Sequence, residues 1–78
     1  MATLRLFASA REAAGTDRLE VDGSTVGAVL DVARVRFGEH FAAVLSTSRV
    51  WLNGEPTTDA APVGARDEVA VLPPVSGG

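Results

Sequence analysis

Residues 67–78 read Asp67-Glu68-Val69-Ala70-Val71-Leu72-Pro73-Pro74-Val75-Ser76-Gly77-Gly78. The apolar run that precedes the prolines has the length and composition of a β-strand. Pro73 and Pro74 cannot donate hydrogen bonds to a neighbouring strand, so regular pairing must end there. Six further residues at about 3.3–3.6 Å each reach up to roughly 20 Å. The sequence therefore predicts a domain over residues 1–72 and an extended tail over residues 73–78.

The predicted tail ends in two glycines, which lack a Cβ atom. Gly77 and Gly78 can therefore pass through a narrow channel and adopt dihedral angles that are closed to other residues. An enzyme could then bring a reagent against a terminal carboxylate on Gly78 from nearly any direction. We expect this carboxylate to be the working group of the protein. A frayed end with an incidental Gly-Gly is the alternative.

The composition fits one small globular domain and excludes several classes of function. The chain has 78 residues, of which 46% are hydrophobic and 22% charged. Its formal net charge is −3 and its arginines are scattered, so we expect no nucleic acid partner. It has no cysteine, hence no thiolate metal site, and we predict no metal. It also has no lysine, hence no side-chain amine that could accept another copy's carboxyl terminus.

The apolar segments are too short for a membrane span, which needs roughly 18 residues or more. The opening residues Met1-Ala2-Thr3-Leu4 also lack the basic start of a signal peptide. We therefore expect a cytoplasmic protein without a membrane partner.

Hydrophobic periodicity predicts two strands and two helices in the first half of the chain. Residues Thr3–Ala8 alternate with period two, a helical turn or two follows and ends near Gly15, and residues Arg18–Val21 alternate again. Ser24 or Thr25 can cap a helix whose apolar residues recur at steps of three and four, with Gly38 at its C-terminal cap: Val26, Val29, Leu30, Ala33, Phe37. Residues 39–45 have the same spacing, so a further helical turn or two is possible there.

The second half predicts a hairpin and a final strand. Residues Arg49–Leu52 form the third strand, and Asn53-Gly54 is a strong two-residue turn signal. Pro56 confines the returning segment, residues 55–58, to a sheet edge. This order of elements predicts an α+β fold of the β-grasp type, a mixed sheet of about five strands with one main helix on one face. Its first and last strands would lie side by side, parallel and central.

Side-chain alternation predicts a binding surface on the other face of the sheet. The residues expected to face the helix are Leu4, Leu6, Leu19, Val21, Val50, Leu52, Val69 and Val71. The opposite face then carries Phe7, Trp51, Ala70 and Leu72, which no other part of the chain is left to cover. Large apolar side chains on an open face at the base of the tail are typical of a partner-binding patch. The alternative is that Trp51 packs on its own loop and Phe7 is a lone exposed aromatic.

Several motifs, spread over essentially the whole chain, resemble one known family. They are Leu6-Phe7-Ala8 with Ala10-Arg11-Glu12 and Gly15, the Asn53-Gly54 turn, and the ending Pro73-Pro74-Val75-Ser76-Gly77-Gly78. Together they resemble the MoaD/ThiS family of ubiquitin-like sulfur carriers, and within it the MoaD type.

The resemblance implies a role for the tail. An ATP-dependent adenylating enzyme of the MoeB/ThiF type would convert the carboxylate of Gly78 to an acyl adenylate, and a sulfur donor protein would convert that adenylate to a thiocarboxylate. The sulfur would pass to cyclic pyranopterin monophosphate in molybdenum cofactor biosynthesis. No permanently bound cofactor is implied.

The resemblance also implies the partners. A MoaE-like large subunit would receive the tail in its active site and supply the catalytic residues, so the chain would not be an enzyme by itself. Two small and two large subunits would form a heterotetramer. The inserted tail residues would be Pro73, Pro74, Val75, Ser76 and Gly77. Phe7, Arg11 and Leu72 match interface positions of the family, whereas Trp51 is placed there by alternation alone.

Three alternatives stay open from the sequence. The first is a carrier with the same carboxyl chemistry that serves thiamine thiazole or cysteine biosynthesis. The second is a ubiquitin-like protein modifier that forms isopeptide bonds. The third is a binding module whose terminal glycines are incidental.

Overall fold

The computed structural model describes residues 1–74 of the chain. In chain order the elements are β1 (Ala2–Leu6), α1 (Ala8–Ala14), β2 (Arg18–Val21), α2 (Val26–Phe37), α3 (Glu39–Ser46), β3 (Arg49–Leu52), β4 (Glu55–Pro56) and β5 (Glu68–Leu72).

The five strands form one mixed sheet in the order β2-β1-β5-β3-β4. β1 and β5 pair in parallel at the centre, and every other neighbouring pair is antiparallel. Both central strands are rich in leucine and valine because their inner faces are fully covered by helices. The predicted α+β fold of the β-grasp type is confirmed, including the central parallel pair.

One hydrophobic core lies between the sheet and the helices. The strand residues predicted to face inward do so: Leu4, Leu6, Val21, Val69 and Val71 are buried, and Leu19, Val50 and Leu52 pack against them. α2 contributes Val26, Val29, Leu30 and Ala33 to the same core. The alternation along the strands therefore leaves the outer face of the sheet free of any helix of residues 1–74.

The N-terminus of α2 is held by its cap and by the loop that precedes β5. The Thr25 side-chain oxygen accepts a hydrogen bond from the Ala28 N–H at 3.1 Å, as predicted for an N-cap. The Val26 N–H donates to the Ala61 carbonyl, and the Gly27 N–H donates to the Asp59 carbonyl, each at 2.9 Å. These contacts satisfy backbone donors that a helix start otherwise leaves unpaired.

The structure has three helices on the core, where the sequence predicts one main helix and a short one, with residues 39–45 left open. Gly38 has φ +91° and ψ −170°, a conformation essentially confined to glycine, so α2 ends there and α3 starts in a new direction. Phe41 and Leu45 of α3 are buried, and the ring centroids of Phe37 and Phe41 lie 5.1 Å apart. The possible helical turn after Gly38 is thus a separate helix of eight residues.

Two predicted strand ends are wrong. The first strand ends at Leu6, and Ala8 starts α1 with φ +51°, so Ala8 turns the chain out of the sheet. The segment predicted over residues 55–58 forms a strand only at Glu55–Pro56, on the sheet edge to which Pro56 confines it.

Within residues 1–74, no helix combines the length and the apolar character that crossing a bilayer requires.

Candidate functional site

A shallow groove of about 270 Å³ lies on the open face of the sheet. Its lining residues are Phe7, Trp51, Gly54, Glu68, Ala70 and Leu72. The structure thus brings together all four residues that alternation assigns to this face. Pockets for small molecules usually enclose about 300–1,000 Å³ and bury most of the ligand. An open groove of this size is better suited to a side chain from a protein surface.

Strand register fixes the positions of the apolar groove residues. Trp51 lies directly opposite Ala70 in the β3–β5 pair. The Phe7 N–H donates to the Val71 carbonyl at 3.2 Å, which continues the parallel pairing one residue past β1 and sets Phe7 beside Leu72. Phe7 and Leu72 remain 36% and 37% exposed, so both still have apolar surface for a partner to cover. The groove is therefore defined by backbone pairing rather than by a mobile loop.

Arg5 extends the groove with a charged side chain. Its guanidinium carbon lies 5.3 Å from the centroid of the Phe7 ring, within the range of a cation–π contact. Its Nη1 atom lies 3.9 Å from Oε2 of Glu68, and both side chains are about two-fifths exposed. An exposed ion pair at this distance adds little stability. It does orient the Arg5 side chain along the edge of the apolar surface.

The turn that forms one end of the groove is tied to the start of β5. Asn53 and Gly54 have φ angles of +50° and +83°, as the predicted two-residue hairpin turn requires. The Asn53 side chain accepts from the Glu68 N–H at 2.9 Å and donates to the Asp67 carboxylate at 3.0 Å. The other Asp67 oxygen accepts from the Gly64 N–H at 2.7 Å. These donors, the Gly64 N–H foremost, lower the pKa of the Asp67 carboxyl group.

The start of the tail leaves the sheet at the groove. β5 ends at Leu72, as the prolines predict. The burial alternation of the strand nevertheless continues through the prolines, since Pro73 is buried and Pro74 is exposed. Pro73 is thus the last buried residue of the described chain. The predictions for Val75, Ser76, Gly77 and Gly78 lie outside the described residues.

Arg11 does not line the groove, although its backbone N–H donates to the carbonyl of the groove residue Phe7 at 3.4 Å. It is exposed on α1, and its backbone carbonyl accepts the hydrogen bond from Gly15 that ends this helix. Its assignment to an interface stays a prediction.

Within residues 1–74, histidine, aspartate and glutamate side chains form no group of three or more that could hold a metal ion.

Sequence reasoning missed three residues of this region. Arg5 shares the outward alternation of Phe7 on β1, so the same parity argument could have placed it on the open face. Glu68 could have been placed by extending the parity of Ala70 and Leu72 back along β5. Gly54 is brought to the groove by the turn, and local sequence alone gives no signal for that contact.

The family of the chain follows from comparison with known proteins. A model described as the ThiS family matches residues 4–78. The chain belongs to the ThiS family. It is also 43% identical, over 76 residues, to the molybdopterin synthase sulfur carrier subunit of Arabidopsis thaliana, an alignment that covers 94% of this chain and 78% of the relative. The predicted membership of the MoaD/ThiS sulfur carriers is confirmed.

Solved structures of related proteins share the fold over nearly the whole chain. The crystal structure of SAMP1 from Haloferax volcanii matches with a TM-score of 0.78 and 34% identity, covering 99% of this chain and 98% of that one. The solution structure of small archaeal modifier protein 1 from Methanosarcina acetivorans matches with a TM-score of 0.88 and 27% identity, covering 99% and 95%. This member of the ThiS family is thus a sulfur carrier with a ubiquitin-like β-grasp fold.

Proposed function

We propose that this chain is the small, sulfur-carrying subunit of molybdopterin synthase. The observation that carries the proposal is the position of the apolar groove, which ends at Leu72 where the tail begins. A partner that covers the groove would hold the start of the tail against its own surface. The 43% identity to the sulfur carrier subunit of a molybdopterin synthase supports the choice of this reaction.

The proposed chemistry takes place at the carboxylate of Gly78. A carboxylate is a poor electrophile, so a MoeB/ThiF-like enzyme would first join it to the adenylyl group of ATP with loss of pyrophosphate. A donor protein would then supply sulfur at the sulfide level, and this sulfur would attack the acyl carbon, displace AMP and leave a thiocarboxylate. The thiocarboxylate sulfur is a stronger nucleophile than the original oxygen, and it would bond to cyclic pyranopterin monophosphate. Water would then cleave the bond between this sulfur and the acyl carbon and restore the carboxylate of Gly78. ATP serves the activating enzyme, and no cofactor need stay bound to this chain.

The proposed large subunit, of the MoaE type, would contact both the groove and the tail. Phe7, Trp51 and Leu72 would contact its surface, Arg11 would lie near it, and residues 73–77 would enter its active site. Its role would be to orient the thiocarboxylate and to supply the catalytic side chains, since positioning alone can remove much of a reaction barrier. A heterotetramer of two small and two large subunits is part of the same proposal.

A mass measurement and a product assay test this function. Incubation with the activating enzyme, ATP and a sulfur donor should add the mass difference between sulfur and oxygen at Gly78. The thiocarboxylated protein, mixed with the large subunit and cyclic pyranopterin monophosphate, should then yield molybdopterin. A variant without Gly77 and Gly78 should do neither. A carrier that is activated but never gains sulfur would contradict the proposal.

A protein modifier is the second candidate, and the 34% identity to SAMP1 over 99% of this chain favours it. It predicts remnants of Gly78 linked to lysines of other proteins in digests of whole cells. Carriers for thiazole or cysteine synthesis share the thiocarboxylate but use another acceptor. Purification with a thiazole synthase or a cysteine synthase, and without a large subunit of the MoaE type, would reassign the pathway.

A further inference from the structure

Three arginines lie around the groove on the open face of the sheet. Arg5 is directly opposite Arg18 in the β1–β2 pair, and both share the outward side of their strands. Arg49 is directly opposite Leu72 in the β3–β5 pair, so it too faces outward. These residues account for three of the seven basic residues of a chain whose net charge is −3. Asp59 lines a second cavity with Arg49, but the two form no salt bridge among the described residues. The part of this face nearest the tail therefore carries more arginines than carboxylates, although the protein as a whole is acidic.

Two acidic residues of the same face lie further from the tail than its arginines, and one of them also lines the groove. Glu20 and Glu68 are the two register partners of Thr3, on either side of β1. They stand two residues further from the tail than Arg5, a distance of about 7 Å along the strand. The charge of the open face thus changes sign along the strand direction, from basic beside the tail to acidic away from it.

Two of these arginines lack a carboxylate partner among the described residues. Within residues 1–74, the carboxylate salt bridges are Arg5 with Glu68 and Arg34 with Asp31, which leaves Arg18 and Arg49 without one. Like charges directly opposite each other destabilise a strand pair, so the Arg5–Arg18 pair has a cost in the free protein. A carboxylate that approaches Arg18 from outside would offset this cost.

We propose that the protein surface that covers this groove presents an apolar side chain flanked by two carboxylates, one for Arg18 and one for Arg49. The proposal rests on the proposed function, because it concerns the partner bound at the base of the tail. Arg18 and Arg49 lie on opposite sides of the groove, three strand spacings and two residues apart, so their backbones are separated by about 16 Å. The partner's carboxylates would have a similar separation. This arrangement sets the register of docking and accelerates encounter with an acidic surface.

Charge reversal with a matched control tests this complementarity. The variants Arg18→Glu and Arg49→Glu change the net charge as much as Arg36→Glu does, and Arg36 is exposed on α2, behind the core. The measured quantities are the association rate and affinity of each full-length variant for the MoaE-type large subunit from the same organism, at several salt concentrations. We expect Arg18→Glu and Arg49→Glu each to slow association by about tenfold at low salt. The difference should shrink as salt rises, and Arg36→Glu should stay within about twofold of wild type.

The thermal midpoint separates loss of binding from loss of folding. Arg18→Glu replaces a like-charged strand pair by an oppositely charged one, so its melting temperature should be equal to or above that of wild type. Weaker binding by a protein that is no less stable would support the inference. The inference would be overturned if Arg18→Glu and Arg49→Glu both bound like wild type, or if Arg36→Glu slowed association as much as they do. Either result would leave the proposed function standing. If wild type itself does not bind the large subunit, the proposed function fails and the inference fails with it.

Discussion

Truncation of Phe7 should weaken partner binding without unfolding the protein. Phe7 is 36% exposed, and an aromatic side chain has about 150–250 Å² to bury, so a partner could cover about 50–90 Å² of it. At about 25 cal/mol per Å² this burial contributes about 1–2 kcal/mol. We therefore expect Phe7→Ala to raise the dissociation constant for the MoaE-type large subunit by about 10-fold. Phe7→Asp should raise the dissociation constant further than Phe7→Ala, because it places a carboxylate in an apolar contact.

The fold should tolerate both changes for reasons visible in the structure. Phe7 lies outside the buried core, and the hydrogen bond that joins it to the sheet is donated by its backbone N–H to Val71, so both variants keep that bond. It is the N-cap of α1 and makes no side-chain cap hydrogen bond. Aspartate is among the residues preferred at this position, so Phe7→Asp should keep or improve the helix start.

Isothermal titration calorimetry against the large subunit, with thermal unfolding of each variant, measures both effects. Val35→Ala is the matched control, because Val35 is an apolar residue that is 87% exposed on α2. Wild-type affinity in both Phe7 variants would refute the assignment of this groove as the interface. A loss of affinity in Val35→Ala of the same size would show that the effect is not specific to the open face.

Three further predictions concern stability. Phe41→Ala should lower the free energy of unfolding in urea by about 3–5 kcal/mol, because Phe41 is fully buried; a loss below 1 kcal/mol would contradict its place in the core. Thr25→Ala should lower the free energy of unfolding by about 1 kcal/mol, because α2 loses its cap. Thr25→Ser should keep most of the stability, because serine can make the same hydrogen bond. The pKa of Asp67 is lower in the folded protein than its ordinary value of 3.8, so the ionised carboxylate stabilises the fold at pH values above 3.8. This stabilisation is lost as the pH falls through the lower pKa of the folded state. Acid titrations followed by circular dichroism should therefore show less pH dependence in Asp67→Asn than in wild type, and equal dependence in the two proteins would contradict the role of this carboxylate.

Local patterns predicted most of the elements because each has its own physical signal. Thr25 begins α2 with a side-chain cap, and Gly38 ends it with a positive φ angle that glycine adopts readily. The Asn53-Gly54 pair turns the hairpin since both residues accept positive φ angles. Alternation along β3 and β5 was enough to put Trp51 and Leu72 on the same face.

Other features depend on contacts between distant segments and could not be read locally. Ala8 continues the alternation of β1 in sequence, yet it turns into α1 with a positive φ angle. The burial of Pro73 depends on where the body of the protein lies beside it. Gly54 and Glu68 line the same groove because β3 pairs with β5, which no local pattern encodes.

The sequence by itself determined the alternation that separates a core face from an open face, the caps of the main helix, and the proline pair that ends the last strand. These depend on backbone dihedrals and side-chain period, which neighbouring residues set. Only the tertiary structure decided that Arg5, Arg18 and Arg49 gather around one groove, since they come from three strands whose order is fixed by packing on a shared core. Charged residues that are far apart in the chain lie on the same surface only once the strands have paired into the sheet.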